Sequence, residues 1–197
     1  MDLERLLKQI EFITEIDKAK KIFRQNVVIG TKRNENDAEH SWHLAIMGML
    51  LMEHSAAEEL DILKVMKMVL IHDIVEIDAG DTFCYDEKGY EDKVEREQLA
   101  ADRIFNILPQ DQAEEFRSVW EEFEAMETAE ACFANCLDRL QPLILNHNSN
   151  GHTWQRPEVN SERVLERCAP LKENAPQLWE YVNIIVEEAI EKGYLKK

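Results

Sequence analysis

The chain has 197 residues, with 40 Asp and Glu against 23 Lys and Arg, a formal net charge of −17 at pH 7. That balance repels polyanions and excludes a general nucleic-acid-binding protein, while leaving room for a small phosphate ester held by a metal ion. The length suits one well-buried core, so residues 1–197 are read as a single domain. No run approaches the roughly 18 apolar residues of a membrane span, and Met1-Asp2-Leu3-Glu4 has neither the basic start nor the apolar stretch of a signal peptide. The expectation is a cytoplasmic protein with no membrane partner.

Helical patterns dominate, with only five Pro and six Gly to interrupt them. They predict helices near 2–14, 16–24, 38–55, 61–78, 92–108, 110–124, 127–147, 160–169 and 175–192, and no secure strand. In chain order, the second of these opens a basic stretch: Lys18, Lys20, Lys21, Arg24, Lys32 and Arg33 fall in 18–33 with no acid among them. In so acidic a chain that asymmetry points to a phosphate-facing element, with Arg24 first and Arg33 second as the guanidinium that clamps it. Val27-Val28-Ile29-Gly30 is short and isolated, and is taken as a connector. Asn34, Asn36 and Asp37 supply capping oxygens for the helix beginning Ala38-Glu39-His40. Trp42, Met47, Met49 and Met52 on that helix are assigned to core packing.

In the helix over 61–78, the segment Met66-Lys67-Met68-Val69-Leu70-Ile71-His72-Asp73-Ile74-Val75-Glu76-Ile77 is otherwise so apolar that it should be buried, yet a carboxylate and an imidazole stand together in it. Burying both is costly unless a counter-charge or a metal compensates. Glu76 follows His72 by four residues and Asp73 by three, on a neighbouring face of the same helix. Residues 80–90 mix glycines, acids and aromatics, which suits a loop at the mouth of a pocket. In the helix over 127–147, Asp138 is a lone acid among apolar neighbours. Residues 148–152 form a second loop by composition. Cys84, Cys132, Cys136 and Cys168 make no CxxC pair and are read as free thiols; Cys132 and Cys136, one turn apart, fit buried thiols better than a zinc site.

Two imidazoles and two carboxylates make a mixed nitrogen and oxygen donor set that suits one divalent transition-metal ion, Mn, Co, Ni, Fe or Zn, with Mg also accepted, better than Ca. Such an ion acidifies water and polarises a phosphoryl oxygen.

The order His40, His72-Asp73, Asp138 resembles the HD superfamily of metal-dependent phosphohydrolases. The stretches Asn36-Asp37-Ala38-Glu39-His40-Ser41-Trp42-His43, Leu70 to Asp81 and Glu130 to Arg139 are similar to the branch containing bacterial 5'-deoxynucleotidases and eukaryotic HD-domain-containing proteins. The resemblance implies an all-α, single-domain HD-type bundle of about seven to nine helices and a homodimer. It also implies metal ligation by His40, His72, Asp73 and Asp138, with His43 a packing or outer neighbour. Glu76 would orient or deprotonate the attacking water, and Asp81 would position the leaving group or sugar. The implied substrate is a small molecule, a deoxyribonucleoside 5'-monophosphate, cleaved to nucleoside and phosphate. One position departs: the branch follows its arginine with a tryptophan that packs on the sugar, whereas Arg24 here is followed by Gln25 and Asn26. Two other readings stand beside this one: hydrolysis of another small phosphate ester, a cyclic nucleotide or a guanosine polyphosphate, and a metal-stabilised regulatory module without turnover.

Overall fold

Four helices start on capping side chains in the computed structural model, which describes residues 3–197. Helix α1 spans Leu3–Ile16. Helix α2 (Asp37–Leu51) opens on a capping box: Asn36 accepts from the Glu39 backbone at 3.0 Å, and the Glu39 carboxylate accepts from the Asn36 backbone at 3.2 Å. Asp61 caps α3 (Ile62–Ile71) through the backbone of Leu63 and Lys64. Helices α4 (Glu76–Ala79), α5 (Lys93–Phe105) and α6 (Gln110–Ala125) follow. Thr128 caps α7 (Ala129–Asn148) and Asn160 caps α8 (Ser161–Cys168); α9 (Leu171–Asn174) and α10 (Pro176–Glu191) close the chain. The all-α class predicted from sequence is what forms. Among the described residues no helix is long and apolar enough to cross a membrane.

The apolar faces bury into two clusters. Leu44, Val65, Met68, Leu137 and Leu140 anchor the larger, where α2, α3 and α7 meet and α10 closes over them. Phe12, Ile71, Val75, Ile104, Phe105 and Trp120 form the smaller, between α1, α5 and α6. Helix α3 and the turn that follows it feed both: Val65, Met68 and Val69 belong to the first cluster, Ile71, Ile74 and Val75 to the second. The crossing point is His72-Asp73.

The sequence predicts one helix over 61–78, but α3 ends at Ile71 and residues His72–Val75 tighten into a 3₁₀ turn before α4. A 3₁₀ turn advances side chains by three residues rather than 3.6 and so re-aims them at this point. Gly80, at φ +76°, then turns the chain out into the loop.

The helix expected over 16–24 is a second correction. Only Asp17–Lys21 coil, as a 3₁₀ helix; Phe23–Val27 is strand β1, paired antiparallel to β2 (Asn34–Asn36). Lysine and alanine favour a helix locally, but pairing with 34–36 overrides that preference. Val27, taken as connector, ends the strand; Val28 and Arg33 close the turn by a 2.9 Å backbone bond. A third correction concerns α2: Met47 is buried, but Trp42 is 64% exposed and Met49 and Met52 also face outward. The predicted first helix began at residue 2, which lies outside the described residues.

Candidate metal centre

Three elements bring four side chains to one point. His40 comes from the first turn of α2, His72 and Asp73 from the 3₁₀ turn, and Asp138 from the middle of α7. His40 Nε2 lies 3.1 Å from Asp138 Oδ1 and 3.8 Å from Asp73 Oδ2. His72 Nε2 lies 3.1 Å from Asp73 Oδ1 and 3.8 Å from Asp138 Oδ1. All four are buried or nearly so, and the two imidazole rings stand 5.5 Å apart. Pro142, inside α7, has no N–H to give the Asp138 carbonyl, which loosens that helix beside the site.

The other nitrogen of each imidazole is engaged from behind. His40 Nδ1 donates to Gln141 Oε1 at 3.1 Å, while Gln141 Nε2 donates to Glu35 at 2.7 Å. His72 Nδ1 donates to the Val69 carbonyl at 3.0 Å. These bonds place the free lone pair on both Nε2 atoms, the arrangement of metal-bound histidines. His72 Nε2 makes no hydrogen bond despite its 3.1 Å approach to Asp73, and Glu76 Oε2 is likewise buried without one. Orphaned buried donors and acceptors of this kind are costly alone. Two imidazole nitrogens facing two carboxylates therefore fit a divalent ion, and His40, His72 and Asp73 already gather within ligand range of a common point. His43 sits outside the cluster, its Nδ1 3.1 Å from Gln141 Nε2.

Arg24, on β1, reaches the same carboxylates: Nη1 is 2.6 Å from Asp73 and 3.7 Å from Asp37, and Nη2 is 3.8 Å from Asp138. Burial alone would raise Asp73, but His72 and then Arg24 outweigh it and hold its carboxyl below the usual range. Burial likewise opposes ionisation of Asp138, yet His40 and then His72, facing it at 3.1 Å and 3.8 Å, hold it well below. Glu76 goes the other way, pushed well above the carboxylate range by burial and then by Asp73. Asp37 is pushed up to about 8 for the same two reasons, and burial raises Asp81. For His72, burial disfavours the charged ring, but Asp73 and Asp138 raise it well above its ordinary value. The carboxylates thus attract a positive charge to the imidazoles, and a cation at the shared point supplies it in place of protons.

The cluster forms one wall of a cavity of about 250 Å³. Asp73, Glu76, Asp81, Asp138 and Arg24 line it. Arg33 does not join them: it lies on the surface, forked onto Glu39 at 2.8 Å and 2.9 Å. Arg139, Lys93 and Arg167 also line the cavity, and Arg167 stands 3.6 Å from Asp138. Gln25 accepts from Arg156 at 2.5 Å, and that guanidinium lies 4.4 Å from the centre of the Phe83 ring. Sequence reasoning missed several residues. Asp37 was read as a cap, but Asn36 caps the helix and both Asp37 oxygens are buried without a hydrogen-bond partner. Its spacing of three residues before His40, on one helix face, was the available signal. Glu35 and Gln141, which orient His40, carry no comparable signal, because neither residue type stands out in its stretch.

Comparison with known proteins agrees with this geometry. A solved structure named "Predicted metal-dependent phosphohydrolase", from Magnetospirillum magnetotacticum MS-1, superposes with a TM-score of 0.93 at 48% identity, covering 98% of this chain and 96% of that one. The human protein named 5'-deoxynucleotidase HDDC2 is 28% identical over 136 residues, 68% of this chain; the chain spans 65% of the length of that relative. The Xenopus laevis protein of the same name is 25% identical over 186 residues, 94% of this chain and 87% of its own length. The family model described as "HD domain" matches residues 16–179, which include all four clustered side chains. The chain belongs to the HD domain family.

Proposed function

We propose that this chain is a metal-dependent phosphomonoesterase that releases phosphate from nucleoside 5'-monophosphates, the deoxy form preferred, with His40, His72, Asp73 and Asp138 as the metal ligands. The observation that carries the reading is the pair of imidazole Nε2 atoms facing Asp73 and Asp138 beside a buried, unpartnered Glu76 oxygen, at the wall of a cavity of about 250 Å³. A divalent ion held there, a transition metal or Mg, supplies charge stabilisation to the phosphoryl oxygens and acidity to water. The chain's own groups do the rest. Glu76, poised by burial to take up a proton, accepts one from the attacking water. Arg24 and Arg167 carry fixed positive charge against the phosphoryl oxygens, which gain charge as the P–O bond breaks. Asp81, on the cavity wall and raised by burial toward its protonated form, donates the proton that the departing 5' oxygen takes. The printed names of the HDDC2 relatives support the nucleotide substrate. The exposed apolar face of α1, with Leu3, Leu7, Ile10 and Ile13, supports a homodimer, which sedimentation would check.

The test is phosphate release by metal-stripped protein with Mn, Co, Ni, Mg or Zn restored, across paired 5'-deoxy- and ribonucleoside monophosphates. Release that needs an ion and favours the deoxy set is the expected result. Equal release favours a broader phosphatase, a reading that Gln25 in place of a sugar-packing ring also supports; none from any substrate overturns the proposal.

A further inference from the structure

The proposed function uses two arginines, Arg24 and Arg167, and leaves the guanidiniums at the cavity mouth without a task. At about 250 Å³ the cavity is small for a whole nucleotide, since small-molecule sites run from roughly 300 to 1,000 Å³. It opens into an outer cavity of about 690 Å³, and the two share Gln25, Asp81, Thr82, Phe83 and Tyr85 as walls. A substrate whose phosphate sits at the floor therefore continues past Asp81 into the outer cavity.

The outer cavity is lined unusually for so acidic a chain. With 40 Asp and Glu against 23 Lys and Arg, arginines elsewhere find carboxylates: Arg5 pairs with Asp111, Arg33 with Glu39, and Arg103 with Asp78 and Glu15. Arg156 instead lies 4.4 Å from the Phe83 ring centre, donates to Gln25 at 2.5 Å, and pairs with no carboxylate among the described residues. Arg163 lies 5.5 Å from the Tyr85 ring centre, and the carboxylate it meets, Glu87 at 3.2 Å, is 87% exposed. The two rings pack edge to face at 5.3 Å, so both guanidiniums ride on one aromatic pair. A ring holds a guanidinium in place without cancelling its charge, as a carboxylate would. The acids that belong to this cavity alone, Asp86, Glu87 and Glu158, are exposed, where solvent and salt screen them. Arg96, on the same wall, is taken up by Asp92 and the carbonyls of Ala79 and Gly89.

Helix α8 lines these charges up with the floor. Arg163 and Arg167 are one turn apart on one face, about 6 Å along the axis. Arg167 stands 3.6 Å from Asp138 at the floor, Arg163 lines the outer cavity, and Arg156 lies in the loop before the helix. We propose that Arg156 and Arg163 form a second phosphate subsite, so that the substrate is a deoxynucleoside 3',5'-bisphosphate. Its 5' phosphate sits at the floor and its 3' phosphate is held at the mouth, where guanidinium forks match phosphate oxygens. Water's oxygen bonds to the 5' phosphorus and the 5' ester P–O bond breaks, giving inorganic phosphate and the deoxynucleoside 3'-phosphate; the 3' ester stays intact. The inference rests on the proposed function in placing the 5' phosphate at the floor.

The experiment compares thymidine 3',5'-bisphosphate with thymidine 5'-monophosphate on the full, Mn²⁺-loaded chain. Phosphate release is read on the wild type, and binding by calorimetry on Glu76→Gln, in which turnover is slowed. The bisphosphate should bind at least roughly tenfold tighter, the share of one hydrogen bond to a charged group, and be cleaved with a correspondingly lower KM. Arg156→Ala and Arg163→Ala together should bring that ratio close to one; if the double variant does not fold, each single variant reads the loss. Equal binding, weaker binding of the bisphosphate, or a preference that survives the substitutions overturns the subsite. A 5'-phosphorylated thymidine dinucleotide offers the same phosphate as a diester; tighter binding of it than of the bisphosphate overturns the substrate assignment in favour of an oligonucleotide end. A preference lost on substitution, in a protein that releases no phosphate, leaves the subsite standing and the proposed function fallen; release from the monophosphate with no preference does the reverse.

Discussion

The two imidazoles at the floor of the cavity each have a bonded partner behind them, whereas the arginines at its mouth rest on rings and amides. At the floor, His40 is held by Gln141 and His72 by the Val69 carbonyl, all on helices or the 3₁₀ turn. At the mouth, Arg156 lies over Phe83 with one bond to Gln25, and Arg163 lies over Tyr85 with its carboxylate partner, Glu87, largely in solvent. The floor is fixed by packing of two core clusters; at the mouth Arg156, Phe83, Tyr85 and Glu87 stand on loops, which readjust at little cost. Chemistry is therefore assigned to the floor and substrate choice to the mouth.

Substitutions at the floor should have the largest effects. Asp73→Asn should lower turnover by more than roughly 10⁴-fold, because it removes a ligand of the ion that stabilises the phosphoryl charge, with helical circular dichroism unchanged. Glu76→Gln should cost about 10²–10⁴-fold in kcat with little change in KM, the share of a proton-transfer group. Wild-type activity in either variant would break the division between floor and mouth.

Arg24 joins the two regions. Arg24→Ala leaves Asp73, Asp37 and Asp138 without their guanidinium, and the metal-free protein should lose about 3–5 kcal/mol of stability, measured by urea unfolding. Added Mn²⁺ should restore much of it.

A related effect appears with pH. Asp37, pushed up to about 8 by burial and by Asp73, keeps a proton in the fold that the unfolded chain loses near the ordinary carboxylate value. Between those values the unfolded state binds fewer protons, so the stability of the metal-free protein should fall as pH rises from about 4 to about 8. Asp37→Asn should flatten that slope; an unchanged Tm profile would count against the assignment.

Smaller effects are expected at the mouth and beyond. Arg156→Ala should move KM, or the ratio of deoxy to ribo substrates, by roughly tenfold with kcat kept. Arg33→Ala, at an exposed pair with Glu39, should change stability by under about 0.5 kcal/mol and leave kcat alone. A large kcat loss in Arg33→Ala would restore it as the phosphate clamp that its sequence position suggested.

The same contrast explains how much could be read from sequence. His72-Asp73 and Asp138 were legible because ionisable groups in apolar helices have few structural uses. Arg24 was found through charge asymmetry, but the strand that delivers it was not, because its pairing with 34–36 is a contact that local propensity does not encode. Trp42, Met49 and Met52 read as core because hydrophobicity alone does not tell which face of a helix finds a neighbour. The break at His72 was hidden for a like reason: a 3₁₀ turn keeps helical composition and changes only the aim of its side chains. Asp37 looked like a cap because Asn36, one residue earlier, is one.

The central claim is that His40, His72, Asp73 and Asp138 hold a divalent ion, and anomalous diffraction at the manganese edge from crystals soaked in Mn²⁺ tests it most directly. A peak in contact with His40 Nε2, His72 Nε2 and carboxylate oxygens of Asp73 and Asp138 is the predicted result. Strong density elsewhere on the chain, with none among these four side chains, would contradict it.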